Sequence, residues 1–422
     1  MFDSSVDCVA GINESSASGN RVRFWIPLVL AVAAAFAFYF STKATQTHFD
    51  YTYRIATALL RGHVGLLHQP PSWLNEMIPW GGEYYSVFPL GAVLALIPVV
   101  LLRKVGLIHE FPGLGLAAVI AGACVYFFFG LSGIVNNSLG RRIMLAMFPV
   151  FGTWTWCNLG FGGAWQIALG FALLGETAAL YFTLVRPRPL LAGICFALAF
   201  GNRTEIILTL PIFLYFWLFR DAANIQHEVR NVIAHLRQDW KTLIRFLAAP
   251  LALGIGTAAY NFARFHSAFD FGYARIPGVL QEPWYRGGLF SLTAIPWNAY
   301  KMLLEGMQSI NEFPYFRPFA FGCSIFIASP FLFLLFRDGG FYRKICWIAI
   351  GTLTLFLWCH GNPGGWQFSY RYGMVLLPWM FLLLVGNGPH KISSSELTLF
   401  LASIAINAVA VQQFLWINEI KP

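Results

Sequence analysis

Charged residues are scarce in this chain: Asp, Glu, Lys and Arg make up only 11% of its 422 residues. Hydrophobic residues make up 57% and aromatic residues 17%, and the mean hydropathy is +0.61. A soluble protein of this size cannot bury so much apolar surface, and many apolar runs approach the length that crosses a bilayer. The composition therefore excludes an ordinary soluble domain and predicts a polytopic membrane protein.

Acidic residues are the scarcer charged group, with 19 Asp and Glu against 28 Lys and Arg, which gives a formal net charge of +9. In a membrane protein such an excess reflects basic cytoplasmic loops and anionic lipid headgroups. The charge therefore predicts membrane lipid as a partner and gives no reason to expect nucleic acid.

Cysteine motifs and a cleavable signal peptide are also missing. The seven cysteines are scattered without a CxxC pair or a zinc-ligand spacing, so neither a disulfide framework nor a protein-built metal site is predicted. The first 20 residues are polar and lack the charged-then-apolar order of a signal peptide. We interpret residues 1–23 as a disordered cytoplasmic tail.

The apolar runs predict an all-α domain over residues 24–422, with about eleven transmembrane helices. The predicted spans lie near residues 24–42, 88–102, 113–135, 143–158, 164–185, 190–218, 246–262, 318–336, 345–359, 372–386 and 396–416.

Basic residues predict the orientation of these spans, because cytoplasmic loops are rich in Lys and Arg. Arg21 and Arg23 place the N-terminus in the cytoplasm. The loops predicted to face inward then carry Arg103-Lys104, the segment 220–245, and Arg337 with Arg343-Lys344. Two pairs conflict with this arrangement, since Arg141-Arg142 and Arg186/Arg188 would face outward. A non-crossing helix at 88–102, or a re-entrant hairpin at 190–218, would remove part of the conflict.

The basic segment 220–245 has apolar residues at helical spacing on one side and Arg or Lys on the other. This pattern predicts an amphipathic helix in the cytoplasmic headgroup plane. A calmodulin-like partner site is the alternative.

Two long segments, 43–87 and 263–316, are predicted to face outward. The first contains HFDYTYRIATALLRG, residues 48–62. In a helix, Asp50, Arg54, Thr57 and Arg61 share one polar face, and Gly62 is suited to end the helix. A structural explanation of Asp50 is available, because Thr47 with Asp50 resembles a capping box and Arg54 can pair with Asp50 at i+4.

Further polar residues could line a site. His48, His63 and His68 lie near Asp50 but show no tight metal-ligand spacing. Glu76 and Glu83 follow as carboxylates that could equally be solvated. Ionisable groups inside an apolar run usually pair or face a polar cavity, which applies to Arg203 and Glu205. Arg371 begins a span between two tyrosines, where it could anchor at the interface or bind a lipid phosphate.

Four segments together resemble the GT-C superfamily of polytopic glycosyltransferases, in particular the bacterial polyprenyl-phosphate mannosyltransferase-like group around glycosyltransferase family 39. They are HFDYTYRIATALLRG, YYSVFPLG at 84–91, YNFARFHSAFDFGY at 260–273 and GGWQFSYRYGMVLLPW at 364–379. They occur in the family's order between about residues 45 and 385. This chain departs from the family in having Tyr51 where many members have a second acidic residue, and His266 where glycine is common.

The resemblance implies transfer of a sugar from a polyprenyl phosphate to an acceptor hydroxyl on the outer face of a bacterial plasma membrane. It implies Asp50 as the catalytic base and inversion at the anomeric carbon. The departing phosphate would be bound first by Arg264 and Arg371, then by Arg203 and Arg54. The predicted substrate-binding residues are Glu83, Tyr84, Trp165, Gln166, Glu205, Asn261, Trp366 and Tyr372.

The acceptor could be a glycan, a glycolipid or a protein, and a divalent ion is left open as a cofactor. Two other classes of function are kept. A lipid-linked sugar flippase or transporter would concentrate ionisable groups near mid-membrane and show repeats. A catalytically inactive partner with the same fold would account for the missing second acidic residue. An O-antigen-ligase or polymerase-like enzyme is a neighbouring catalytic alternative.

Overall fold

The computed structural model describes residues 17–43, 49–219, 232–340, 342–417 and 419–420, and it is mostly helical. This confirms the helical class predicted from the apolar runs. Within lipid a chain has to satisfy its backbone hydrogen bonds internally, which favours helices. The α-helices of the described residues are α1 Ala17–Ser41, α2 Tyr51–Leu59, α3 Leu90–Leu94, α4 Ile97–Lys104, α5 Gly113–Leu131, α6 Leu139–Phe151, α7 Thr155–Gly160, α8 Ala164–Leu184, α9 Pro189–Asn202, α10 Leu210–Leu218, α11 Val232–Phe265, α12 Ile295–Leu303, α13 Ile325–Ala328, α14 Arg343–Cys359, α15 Leu377–Gly386 and α16 Ser394–Val411.

Short elements occupy the connections between these helices. Two antiparallel pairs of strands occur, β1 Ile78–Trp80 with β2 Glu83–Tyr85, and β3 Gln308–Ser309 with β4 Phe316–Arg317. A π-helical turn, Gln412–Trp416, continues α16. The 3₁₀ segments are Thr204–Thr209, Tyr273–Arg275, Val279–Gln281, Pro283–Tyr285, Leu292–Ala294, Pro330–Phe336 and Arg371–Leu376.

Four helices of the described residues are long and apolar enough to cross a membrane: Gly113–Leu131, Ala164–Leu184, Leu236–Phe265 and Ser394–Trp416. The predicted count of eleven spans is not confirmed. Several predicted spans are shorter helices interrupted by turns, and a proline often begins the second piece. Pro211 and Pro378, for example, stand in the first turns of α10 and α15, where the missing N–H does not disturb the helix.

The predicted span at 88–102 consists of two short helices, α3 and α4, that pack beside α2. Arg103, at the end of α4, lines the same cleft as Asp50. This differs from the prediction that Arg103-Lys104 belongs to an inward loop, and it agrees with the non-crossing alternative.

The predicted interfacial helix at 220–245 is only partly described, since residues 220–231 lie outside the described ranges. From Val232 onward the chain continues without a break into the predicted span at 246–262, and α11 has 34 residues. At 1.5 Å per residue this helix is roughly 51 Å long, longer than a hydrocarbon core of about 30 Å.

The helices approach one another closely at small residues. A Cβ atom on Gly193 of α9 would collide with the carbonyl oxygen of Phe246 in α11, and one on Gly175 of α8 would collide with the backbone of α9. Small residues allow such approach in membrane bundles. Helix α9 is thereby packed between α8 and α11.

Arg142, Arg186 and Arg188 lie at one end of the bundle, and the cleft that contains Asp50 lies at the other. Gly113 lies against Gly162 at the end that carries α2, whereas Gly130 lies against Tyr181 at the opposite end. At that opposite end the guanidinium of Arg142 stacks on Phe129 at 4.3 Å. Arg186 and Arg188, which follow α8, are also at that end. The arginines that conflicted with the predicted orientation therefore lie away from the Asp50 cleft.

Candidate functional site

Asp50 opens onto a cleft of about 640 Å³ beside α2. Asp50 occupies the N-cap position of α2, but its side chain makes no capping hydrogen bond. The carboxylate instead accepts a 2.7 Å hydrogen bond from Nε of Arg54, and Asp50 is 8% exposed. The predicted pair with Arg54 is confirmed. Asp50 is itself the N-cap residue, not the acidic third residue of a capping box that begins at Thr47. Thr47 lies outside the described residues.

The predicted polar face of α2 is confirmed. Asp50, Arg54, Thr57 and Arg61 all line the Asp50 cleft, whereas Tyr51 and Ile55, on the other side, are buried. Gly62, with φ of +85°, follows the helix in the left-handed region that glycine adopts readily. The remaining lining residues are Tyr53, Ala58, His63, Gly65, Leu66, Leu67, His68, Gln69, Pro70, Pro71 and Arg103.

The three histidines considered as metal ligands near Asp50 are only partly described. His63 and His68 line the cleft, and His48 lies outside the described residues. Within the part of the chain that the structure describes, no three His, Cys, Asp or Glu side chains gather into a metal-binding group.

A second cavity, of about 210 Å³, lies beside the break between α9 and α10. We call it the Arg203 cavity. Its wall is largely apolar. The lining residues are Val87, Phe88, Pro89, Trp165, Asn202, Arg203, Thr204, Glu205, Phe271, Tyr273, Leu289, Phe290, Phe356, Leu357, His360 and Tyr372.

Arg203 and Glu205 form an ion pair in this wall, with Nη2 of Arg203 2.7 Å from Oε1 of Glu205. The guanidinium also stacks over the ring of Tyr372 at 4.7 Å. Arg203 has an extended backbone at the end of α9, and this break in the helix leaves room for charged groups within an apolar run. The predicted pair is confirmed. The pair also faces a cavity, but the wall of that cavity is largely apolar rather than polar.

His360 is a cavity residue that the sequence reasoning did not select. Its Nδ1 lies 2.7 Å from the carbonyl oxygen of Asn362. A carbonyl only accepts, so Nδ1 carries the proton and donates it. Burial lowers the pKa of His360, so the ring is neutral and Nε2 is an acceptor. The only local signal was a histidine directly after an apolar run, which is too common to indicate a site.

Glu76, a carboxylate that the sequence left open as a site residue or a solvated loop residue, is half-buried and bound to another side chain. Its Oε2 accepts a 2.6 Å hydrogen bond from Nε1 of Trp165. Burial raises the pKa of Glu76, the Trp165 bond and the charge of Arg371 oppose that shift, and Glu282 adds to it. Trp165 also packs against Phe88 at 4.3 Å between ring centroids, so Glu76 supports the wall of the Arg203 cavity.

The two preferred phosphate ligands have different surroundings. Arg264 donates to the carbonyl oxygen of Ser86 at 2.5 Å and to Oδ1 of Asn261 at 2.6 Å, and it lines neither cavity. Arg371 is 8% exposed, also lines neither cavity, and donates one longer hydrogen bond, of 3.4 Å, to the hydroxyl of Tyr372. The Nε atoms of both arginines have no hydrogen-bond partner among the described residues. Arg371 therefore has fewer of its guanidinium donors occupied by short hydrogen bonds than Arg264 has.

The other predicted substrate-binding residues are divided by the fold. Trp165, Glu205 and Tyr372 line the Arg203 cavity. Glu83 and Tyr84 lie in β2, Gln166 lies in the first turn of α8, and Trp366 stacks on Phe161 at 4.5 Å. These four residues, together with Asn261, line neither cavity.

No family model, no curated protein and no solved structure matches the chain. Inference about its chemistry therefore depends on the two cavities and on the sequence motifs.

Proposed function

We propose that this protein is a membrane glycosyltransferase that moves a sugar from a polyprenyl phosphate to an acceptor hydroxyl. The observation that carries the proposal is the Asp50 carboxylate, which is nearly buried yet borders a cleft of about 640 Å³. A carboxylate at the edge of a substrate-sized cleft can act as a general base. The resemblance of four sequence segments to GT-C glycosyltransferases supports the reaction class.

In the proposed reaction the acceptor oxygen attacks the anomeric carbon and its proton passes to Asp50. The bond between the anomeric carbon and the phosphate oxygen breaks, and the electron pair leaves with the polyprenyl phosphate. A single displacement of this kind inverts the anomeric configuration. Nε of Arg54 donates a 2.7 Å hydrogen bond to Oδ1 of Asp50 and so holds the carboxylate in place at the edge of the cleft.

The leaving phosphate needs positive charge near the end of a lipid chain. The Arg203 cavity combines an apolar wall, which includes Val87, Phe88 and Phe356, with the guanidinium of Arg203. Arg371 contacts Tyr372, another residue of this wall. We assign the donor's phosphate and the first part of its lipid chain to this cavity, since forked guanidinium donors suit phosphate oxygens.

The distribution of charge supports an orientation with the Asp50 cleft on the outer side of a plasma membrane. Arg142 and the Arg186/Arg188 pair share the end opposite α2. Arg337 is at that end too, where it and Arg141 both bind Glu396. Basic residues concentrate on the cytoplasmic side of membrane proteins, so this end would face inward and α2 outward. Arg61, Arg103 and Lys104, at the α2 end, are exceptions to this rule, and the outward placing of α2 also rests on the resemblance to GT-C glycosyltransferases. The proposed spans then include the shorter apolar helices as well as the four long ones.

A lipid-linked sugar transporter is the second candidate, and one residue favours it. Glu176 is fully buried within the long helix α8, where one oxygen accepts from Nε1 of Trp379 at 2.6 Å and the other has no partner. Ionisable groups inside membrane spans often belong to transport pathways.

A reconstituted system separates the two candidates. Purified protein would be placed in liposomes with labelled polyprenyl-phosphate sugars and a cell-envelope extract as the source of acceptor. Transfer of label to the extract with release of polyprenyl phosphate supports the glycosyltransferase. Movement of intact labelled lipid between leaflets without transfer supports the transporter and contradicts the proposed reaction.

A further inference from the structure

The Asp50 cleft has more positive than negative charge. Among its described lining residues Asp50 is the one carboxylate, and it is engaged by Arg54. Arg61 and Arg103 also line the cleft. Neither forms an ion pair with a carboxylate of the described residues, and both are exposed. The cleft therefore has two arginines available to an incoming group.

These two arginines come from separate elements. Arg61 follows the end of α2, whereas Arg103 lies in the last turn of α4. They meet in one cleft because α3 and α4 fold back beside α2. Charges of one sign gathered in a concave surface focus the electrostatic potential and attract an oppositely charged ligand more strongly than the same charges on a convex surface.

We propose that the acceptor is an anionic saccharide, one that carries a phosphate or carboxylate group recognised by Arg61 and Arg103. The inference rests on the proposed function, because it places the acceptor hydroxyl beside Asp50. The saccharide's anionic group would receive the forked hydrogen bonds of the two guanidinium groups.

The anionic group belongs to the acceptor rather than to the lipid-linked donor for two reasons. The base has to meet the acceptor's hydroxyl, and Asp50 lies in this cleft. The cleft is also polar around the arginines, with His63, His68 and Gln69 in its wall, whereas the apolar wall suited to a lipid chain belongs to the Arg203 cavity.

Binding of a small phosphorylated sugar tests the proposal. Glucose 6-phosphate, with glucose as the uncharged probe, would be titrated into the protein in phosphatidylcholine nanodiscs. We expect glucose 6-phosphate to bind at least about tenfold more tightly than glucose, and an Arg61→Gln/Arg103→Gln double variant to lose about tenfold in that affinity. Arg286→Gln is the matched control, since Arg286 is an exposed arginine outside both cavities. The Arg286→Gln protein should bind glucose 6-phosphate with the affinity of the wild type.

Titration of undecaprenyl phosphate distinguishes the two sources of phosphate. We expect the double variant to bind this lipid as the wild type does. If the double variant loses undecaprenyl phosphate and keeps glucose 6-phosphate, the arginines serve the donor and the proposal is wrong. The proposal is equally overturned if glucose 6-phosphate binds no better than glucose, or if the double variant binds it unchanged.

The double variant replaces exposed side chains, so its thermal unfolding should match that of the wild type. If the double variant unfolds, the affinity for glucose 6-phosphate is measured on the single variants Arg61→Gln and Arg103→Gln. Each single variant should lose part of the affinity that the double variant is expected to lose. The titrations involve no chemical step. Failure of glucose 6-phosphate binding and failure of sugar transfer are therefore separate results.

Discussion

Nε1 of Trp165 donates a 2.6 Å hydrogen bond to Oε2 of Glu76, which joins the start of α8 to the loop that follows α2. Burial raises the pKa of Glu76 above the ordinary value of 4.5 despite this bond. The folded protein therefore holds the proton of Glu76 more tightly than the unfolded chain does. The contribution of Glu76 to the free energy of unfolding is fully present when the pH is below about the ordinary pKa. It is lost as the pH rises through the pKa that Glu76 has in the folded protein.

We expect the melting temperature of the wild type in detergent to fall more steeply above pH 4.5 than that of Glu76→Gln, because glutamine cannot titrate. Thermal unfolding at a series of pH values measures both slopes. Glu110→Gln is the control, since Glu110 is an exposed carboxylate just before α5, at the end of the bundle that carries α2. Equal slopes for wild type and Glu76→Gln would show that Glu76 titrates normally.

Replacement of Glu396 tests the ion cluster at the opposite end of the bundle. Glu396 is 1% exposed and binds both Arg141, which is fully buried, and Arg337. Glu396→Gln would leave Arg141 as a buried charge without its carboxylate, and we expect a loss of about 3–5 kcal/mol in the free energy of unfolding.

The control for Glu396→Gln is Asp338→Asn, which removes the ion pair with Arg343, where the Asp338 side chain is 95% exposed. An exposed pair contributes little, so the melting temperature should hardly change. Equal effects of the two variants would contradict a structural role for the buried cluster.

Close packing of α9 against α11 is tested at two glycines. Gly193→Ala would drive a methyl group into the backbone of Phe246, and we expect a loss of about 1–3 kcal/mol, as for other overpacked sites. Gly254→Ala is the matched control for Gly193→Ala, because Gly254 also lies within a helix, α11, but has no atom near an added methyl group. It should be neutral or stabilising by up to about 1 kcal/mol. A stable Gly193→Ala protein would show that the two helices are further apart.

The sequence predicted features that depend on local spacing, and it missed those that depend on how elements fold together. The polar face of α2 and the Arg203–Glu205 pair were both predictable, because each lies within a few residues of chain. Arg103 was predicted to lie on the opposite side of the membrane from Asp50, but the two residues line one cleft. That prediction was wrong because residues 88–102 are apolar enough to resemble a span. Apolarity alone does not distinguish a helix that crosses the membrane from two short helices packed beside α2.

The contact between Glu76 and Trp165 and the position of His360 in a cavity were not predicted, for a related reason. The partner of Glu76 is Trp165, 89 residues away, and the cavity around His360 is built from segments spread between Val87 and Tyr372. No local pattern indicates such long-range contacts. The predicted substrate residues were divided in the same way, because neighbours in a motif, such as Trp366 and Tyr372, point to different surroundings in the fold.

Substitution of the two arginines first predicted to bind phosphate should separate structure from catalysis. Arg264 donates to Ser86 and Asn261, and we expect Arg264→Met to lower the free energy of unfolding by about 2–3 kcal/mol. The guanidinium of Arg371 makes a longer hydrogen bond, of 3.4 Å, to the hydroxyl of Tyr372, and we expect Arg371→Gln to reduce kcat about a hundredfold with less effect on the melting temperature. An Arg264→Met protein with wild-type stability and no transfer would reverse these roles.

The rate of sugar transfer by Asp50→Asn is the most direct test of the proposed chemistry. The variant keeps the size of the side chain beside Arg54 but cannot accept the acceptor's proton. We expect release of polyprenyl phosphate in liposomes to fall at least about a hundredfold, with unchanged thermal unfolding, while Glu110→Gln transfers at the wild-type rate. A folded Asp50→Asn protein that transfers sugar as fast as the wild type would contradict the assignment of Asp50 as the base.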